Sequence, residues 1–245
     1  MPELDLKARR AVITIDGPAG AGKTTVAKRL AERLGILYLD TGALFRGLAW
    51  YAIREKRITA ETLDWDAATQ IAMAPQGGSL EFREKDLAVD VTYEGRSIMS
   101  EIRSEEISDM ASRIGVYSPV RSRMKAVQRG LAADASVVVE GRDSGTDVFP
   151  GADVKFFLTA DPAARAGRRM RQSPDQYADL DAAVADVMKR DARDAGREIA
   201  PLRKPEDAVE IDSTGLTLDE TELLIYLMTK ARLLASPERT AGHGK

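Results

Sequence analysis

The stretch Gly17-Pro18-Ala19-Gly20-Ala21-Gly22-Lys23-Thr24 constrains this chain more than any other. It fits the pattern G-x-x-x-x-G-K-[ST] without a mismatch, and its surroundings suit that reading. The apolar, β-branched residues 11–15 predict a buried strand before it. Val26, Leu30 and Leu34, spaced four apart, predict a helix after it, with Gly35 as the stop. Strand, glycine-rich turn and helix together make a cradle for phosphate. The glycines admit backbone angles that turn successive N–H groups inward, and the positive end of the helix dipole faces the same point. Lys23 then reaches the β- and γ-phosphates of a nucleoside triphosphate, and the Thr24 hydroxyl completes a Mg2+ shell.

The rest of the composition narrows the chemistry. With 245 residues, 44% of them hydrophobic, the chain can build one large α/β domain or a core domain with an inserted subdomain. No apolar run approaches the roughly 18 residues of a membrane helix, and the charged residues 1–10 lack the apolar region of a signal peptide. A cytoplasmic protein without membrane association is expected. There is no cysteine, which excludes disulfides, thiolate metal sites and thiol nucleophiles. A net charge of −3 argues against a general nucleic-acid binder. The single histidine, His243, falls in the polar tail 236–245, expected to be disordered. Chemistry must therefore run on arginine, lysine, carboxylates, hydroxyls and Mg2+. Phosphoryl transfer does so, because it depends on positioning and charge neutralisation.

Apolar runs at 11–15, 36–39, 136–140, 154–159 and 208–211 predict parallel strands separated by helices. Ser118-Pro119 and Asp161-Pro162 each predict a capping side chain before a proline at the first helical position. Thr217, ahead of Asp219 and Glu220, predicts another helix start. Alternating residues at 79–83 and 87–93, followed by Glu94-Gly95, predict a small antiparallel hairpin inside an insert at about 42–116.

Three further constellations follow strand ends, where ligands of open α/β sheets bind. In Asp40-Thr41-Gly42-Ala43-Leu44-Phe45-Arg46, Thr41 is placed to cap the next helix. Arg46 reads either as an anion contact near that helix start or as an ordinary surface arginine. In Glu140-Gly141-Arg142-Asp143-Ser144-Gly145-Thr146, Glu140 is placed to hold Mg2+ through water. The bland reading there is a turn closed by an Arg142–Asp143 ion pair. Arg165, Arg168, Arg169 and Arg171 then crowd one helix. Arg190, Arg193, Asp194 and Arg197 share the face of another, alongside Lys189 and Asp191. These helices read either as solvated faces laced with salt bridges or as a lid that closes arginines over polyphosphate.

The runs TIDGPAGAGKTT, DTGALFR, SPVR, VEGRDSGTDVFPGADVKFFLTADPAAR, KRDARDAGREIAPL and AVEIDSTGLTLDE occur in that order. Together they closely resemble the bacterial cytidylate kinases, from about residue 11 to about 230. The resemblance implies an α/β P-loop three-layer fold: a five-stranded parallel sheet flanked by helices, a small mixed insert and a helical lid. The core would be 1–41 and 117–235, the lid about 172–200, and the nucleoside-monophosphate-binding insert 42–116. The implied reaction moves the γ-phosphate of ATP to CMP or dCMP with Mg2+, in a monomer.

By motif, ATP falls to Gly17, Pro18, Ala19, Gly20, Ala21, Gly22, Lys23, Thr24 and Thr25, with Arg168 or Arg169 stacked on adenine. Thr41 matches a position near the acceptor nucleotide, and Arg46 an arginine on its phosphate. Ser112, Arg121, Arg142 and Asp143 match positions around cytosine. Arg190, Asp194 and Arg197 match lid contacts to the acceptor phosphate and sugar, with Arg193 as a clamp on the transferring phosphate. Lys23, Arg142, Arg190, Arg193 and Arg197 form the implied catalytic set, and Thr24 the metal ligand. An Asp143 carboxylate accepts from the exocyclic amino group of cytosine and repels the oxygen of uracil. Ser144 departs from the family's usual bulky apolar residue, which would loosen the pocket floor, and a short stretch at 172–180 implies a small lid. The nearest rival is another P-loop kinase of a nucleoside monophosphate or a small metabolite. A GTP switch would need an N-K-x-D motif, and the chain has none.

Overall fold

Strand β1 (Val12–Asp16) is an apolar, β-branched run whose last four residues are buried, the pattern of a strand covered on both faces. The computed structural model describes residue 6, residues 10–74 and residues 79–235; the tail 236–245 with His243 lies outside the described residues. After β1 come α1 (Lys23–Leu34), β2 (Leu37–Asp40), α2 (Thr41–Arg54), α3 (Trp65–Ala72), β3 (Leu80–Lys85), β4 (Ala88–Tyr93) and β5 (Arg96–Ser97). The chain continues through α4 (Glu105–Ile114), α5 (Ser118–Leu131), β6 (Val137–Gly141), β7 (Val154–Thr159), α6 (Pro162–Gln172), α7 (Leu180–Ala195), β8 (Val209–Asp212) and α8 (Leu218–Ala235). Residues divide into two compact units, one spanning 39–134 and the other formed by the chain on either side of it.

In the discontinuous unit, β1 pairs in parallel with β6, Ile13 opposite Val138, and with β7, Ile15 opposite Phe156. Strand β7 in turn pairs in parallel with β8, Leu158 opposite Ile211. The Leu37 N–H at the start of β2 donates to the Ser136 carbonyl just before β6. All the strands expected from the apolar runs are present, and the fold is the α/β class with a parallel sheet flanked by helices. Phe156, on β7 between β1 and β8, is fully buried, worth about 2–3 kcal/mol for such a ring. Helices α1 and α8 pack on each other, α1 also on β6 and α8 on β7. Because these strands run parallel, their carboxyl ends share one edge. The connections starting at Gly17, Arg142, Ala160 and Ser213 gather there.

The continuous unit holds the predicted hairpin, β3 and β4 pairing antiparallel from Leu80–Tyr93 to Lys85–Ala88, with β5 added on β4. Helix α2 packs on α4, and α3 on α5. The allegiance of α5 to α3 makes this unit wider than the insert expected at 42–116. Capping follows the sequence in part. Asp161 accepts from the Ala163 N–H at the start of α6, and Thr217 with Glu220 forms a reciprocal capping box ahead of α8. Ser118 does not cap: it is the first residue of α5, and Tyr117 holds the cap position without a side-chain bond. Thr41 likewise starts α2 rather than capping it, because Asp40 takes the Ala43 N–H at 2.9 Å.

The turn from β3 to β4 holds Asp86 and Leu87 at φ 53° and 58°, the doubly left-handed geometry that two-residue hairpin turns require. Leucine adopts it at a cost of about 1 kcal/mol, and its exposed side chain gains little packing in return. Leu87→Gly is expected to raise unfolding stability by about 1 kcal/mol, read as a higher urea midpoint at unchanged m-value.

Candidate active site

The phosphate loop follows β1 directly. Gly17, Gly20 and Gly22 adopt φ of 147°, 77° and 94°. At Gly17 a Cβ would lie 2.0 Å from the Leu158 carbonyl oxygen of β7, so no other residue fits. The loop is thereby pressed against the sheet edge, and its left-handed glycines suit the inward-turned N–H groups of an anion cradle. Lys23, the first residue of α1, is buried and its Nζ donates to the Pro18 carbonyl at 2.6 Å. Burial, together with the Arg142 cation, pushes its ammonium down to about 7, against the pull of Glu140, Asp16 and Asp194. Thr25, the third residue of α1, is half-buried.

Glu140, buried near the end of β6, is bracketed by two hydroxyls. Thr24 Oγ1 donates to its Oε1 at 2.7 Å and the Tyr38 hydroxyl to its Oε2 at 2.7 Å. Thr24 and Glu140 thus present hard oxygens side by side at the mouth of the loop, a donor pair suited to Mg2+, which keeps most of its waters and binds phosphate oxygens for the rest. Among the described residues no cluster of three or more acidic or histidine side chains offers a fuller protein cage.

Asp16 closes the other side. Its carboxylate accepts from the Ser144 N–H at 3.0 Å and the Gly145 N–H at 2.7 Å. Burial raises its pKa, and the bonds from Gly145 and from the backbone and hydroxyl of Ser144 work against that rise. Ser144, expected to loosen a pocket floor, is buried and bonded to this carboxylate. A bulky apolar side chain there would leave Asp16 with one partner fewer.

The bland Arg142–Asp143 turn pair is not what the Arg142 guanidinium makes. Its Nε donates to Asp194 Oδ2 at 3.0 Å and its Nη1 to the Gly141 carbonyl at 3.2 Å. Asp194 also takes Arg197 Nη2 on its other oxygen at 2.5 Å. One buried carboxylate from α7 therefore orients two arginines. Against the effect of burial, Asp194, Glu140 and Asp16 hold Arg142 above the ordinary guanidinium value. Asp143 is buried, and its carbonyl accepts from the Asp147 N–H. Arg190 and Arg193 are half-buried on α7, and Arg190 Nε lies 3.5 Å from Asp186. Arg197 is not on the helical face predicted for it: α7 ends at Ala195 with Gly196 at its cap, and Arg197 turns back from the following segment.

The arginines of α6 divide by role. Arg168 donates to the Ala21 carbonyl and to Ser213, and so ties the phosphate loop to the end of β8. Arg169 pairs with the Tyr177 hydroxyl at 2.8 Å and lies over its ring. In the continuous unit, Arg46 folds back over the start of α2, its Nη2 3.0 Å from Asp40, as an arginine facing that helix start must. Arg121 is buried on α5, donates to the Gly115 carbonyl at 3.2 Å and sits over the Phe45 ring. Thr41 is buried and Ser112 half-buried on α4.

Sequence reasoning missed Asp16, Tyr38 and Ser213. A carboxylate closing an otherwise apolar strand immediately before the glycine loop was the available signal for Asp16. Tyr38 and Ser213 carried none, since their partners lie far along the chain. Asp16→Ala would leave the Ser144 and Gly145 N–H groups unpaired and is expected to cost about 2 kcal/mol in denaturant unfolding. Because the Asp16 pKa is raised above 3.8 in the fold, its contribution shrinks as pH rises through that raised value. The deficit of the variant is therefore expected to be larger at pH near 4 than near 7.

The cytidylate kinase family profile matches residues 13–230. The cytidylate kinase of Solibacter usitatus is 42% identical over 94% of this chain and 96% of its own. That of Geobacter sulfurreducens is 40% identical over 94% and 97%, and that of Nitratidesulfovibrio vulgaris 43% over 85% and 88%. With a profile match across most of its length and relatives this similar end to end, the chain belongs to the cytidylate kinase family.

Proposed function

We propose that the protein transfers the γ-phosphoryl group of ATP to CMP and dCMP, giving ADP and the cytidine diphosphates. The observation that supports this most is the charge constellation at the sheet's carboxyl edge: Lys23 at the foot of a glycine loop, Thr24 on Glu140, and Arg142 and Arg197 on one Asp194 carboxylate. It suits a reaction in which two polyanions meet, and the family membership names the acceptor. The reading covers a monomer acting in the cytoplasm; no helix among the described residues is long and apolar enough to cross a membrane.

In this reading the loop amides and Lys23 hold the β- and γ-phosphates. Thr24 would hold Mg2+ directly and Glu140 through water; when bound, the ion would supply positive charge against the polyphosphate. Arg168, whose N–H edge is spent on Ala21 and Ser213, keeps its planar face for the adenine ring. By the family motifs, the acceptor is assigned to Thr41, Arg46, Ser112, Arg121, Arg142, Asp143, Arg190, Asp194 and Arg197. A CMP phosphate oxygen attacks the γ-phosphorus in line, the bond to the β,γ-bridging oxygen breaks, and ADP departs with that electron pair. Lys23, Arg142, Arg190 and Arg197, with Arg193 on the moving group, meet the charge that spreads over the equatorial oxygens. The acceptor is already an anionic phosphate, so no general base is required.

The test is ADP formation with CMP, dCMP, UMP, AMP and GMP as separate acceptors, for wild type and Asp143→Ala. Turnover is expected with CMP and dCMP, weak with UMP, and the variant should lose about tenfold or more of the cytosine preference. Preference for another base would overturn the acceptor assignment, and turnover independent of any acceptor would overturn the kinase itself.

A further inference from the structure

The reading above accounts for the arginines that face phosphate, but it leaves one buried arginine unused. Arg165, on the first turn of α6, has only 5% of its side chain exposed. Its Nε donates to the Ala160 carbonyl at 2.9 Å, and its Nη1 to both the Ala19 carbonyl of the phosphate loop, at 3.1 Å, and Asp191 Oδ2 of α7, at 2.6 Å. The loop presses on the same residue from its backbone side. A Cβ at Gly20 would lie 3.0 Å from the Arg165 carbonyl oxygen and 3.1 Å from its Cβ. One guanidinium nitrogen thus bonds at once to the loop that cradles phosphate and to the helix that carries Arg190, Arg193 and Asp194. Asp191 sits between those residues in sequence and uses only one carboxylate oxygen; Oδ1 is buried without a partner.

From this geometry we infer that Arg165 and Asp191 are positioning residues that lock α7 to the phosphate loop, so that filling the loop fixes where the α7 side chains stand. The inference rests on the kinase reading for its effect on turnover. The mechanical tie itself does not depend on which base is accepted. A buried, charge-assisted bond of this kind is directional and stiff, and a shift of about 1 Å in the residues it holds is enough to cost on the order of 100-fold in rate. Tyr177, Asp186 and Arg169 brace the same helix further along, where Ala166, Ala183 and Val187 form a small core. The Arg165 bond reaches the loop from α7 directly.

The experiment compares wild type with Asp191→Asn and Arg165→Lys in two measurements. The first is amide hydrogen exchange across residues 180–195 with and without ADP. Exchange is expected to slow about fivefold or more in wild type on adding ADP, and less than about twofold in either variant. The second is steady-state phosphorylation of CMP: kcat is expected to fall about tenfold or more while the KM for ATP moves less than about threefold. A structural role alone would lower stability yet leave kcat per folded molecule and the ADP response of α7 intact, and that result overturns the inference. Failure of both variants to fold overturns it equally. Wild type that shows the ADP response but no CMP-dependent turnover would sink the kinase reading and leave the tie standing.

Discussion

Everything at this site depends on burying Lys23 beside another cation. The loop backbone and the sheet edge exclude water from its ammonium, and Arg142 adds a like charge. Glu140, Asp16 and Asp194 offset this only in part, so that the group sits near 7 rather than 10.5. The ammonium is tied to the Pro18 carbonyl, and the charges around it balance only in part. In the reaction proposed above, a triphosphate is the anion that completes the balance.

The same carboxylates that support Lys23 also organise the surrounding chain. Asp16 pins the start of the turn after β6 through two backbone N–H groups, and Glu140 gathers Thr24 and Tyr38. Asp194 brings α7 to Arg142 and Arg197. Asp16 and Glu140 sit at the carboxyl edge of a parallel sheet whose register sets Ile15 opposite Glu140 and Asp16 opposite Gly141. Sheet pairing therefore fixes the spacing of the charges, and the glycine at position 17, against the Leu158 carbonyl, fixes the loop above them.

How much of this was legible in the sequence follows from how far apart the partners lie. The phosphate loop, the strand runs, the Asp161 cap and the β3–β4 hairpin are local patterns spanning a few residues, and each was readable. Asp16 meets Ser144 across 128 positions and Tyr38 meets Glu140 across 102, distances at which no periodicity speaks. The neighbouring Asp143 was a plausible partner for Arg142. Register and the approach of α7 select Asp194, 52 residues on, instead. Thr41 lost the cap of α2 to Asp40 because the strand's last residue already has the extended backbone a cap needs. The arginines of α6 and α7 looked alike in composition. Burial separates Arg165, which holds the loop, from Arg190 and Arg193, which stay half-buried on α7.

The most direct test of the depressed Lys23 is calorimetric titration with ATP near pH 8 in buffers of differing ionisation enthalpy. If the free ammonium sits at about 7 and a bound polyphosphate restores it, binding must take up close to one proton at that pH, and affinity must fall roughly tenfold per unit as pH rises further. Lys23→Arg, always charged, should bind with no such uptake. A heat of binding that is the same in every buffer for wild type would mean the lysine is already protonated and paired, and would contradict the account.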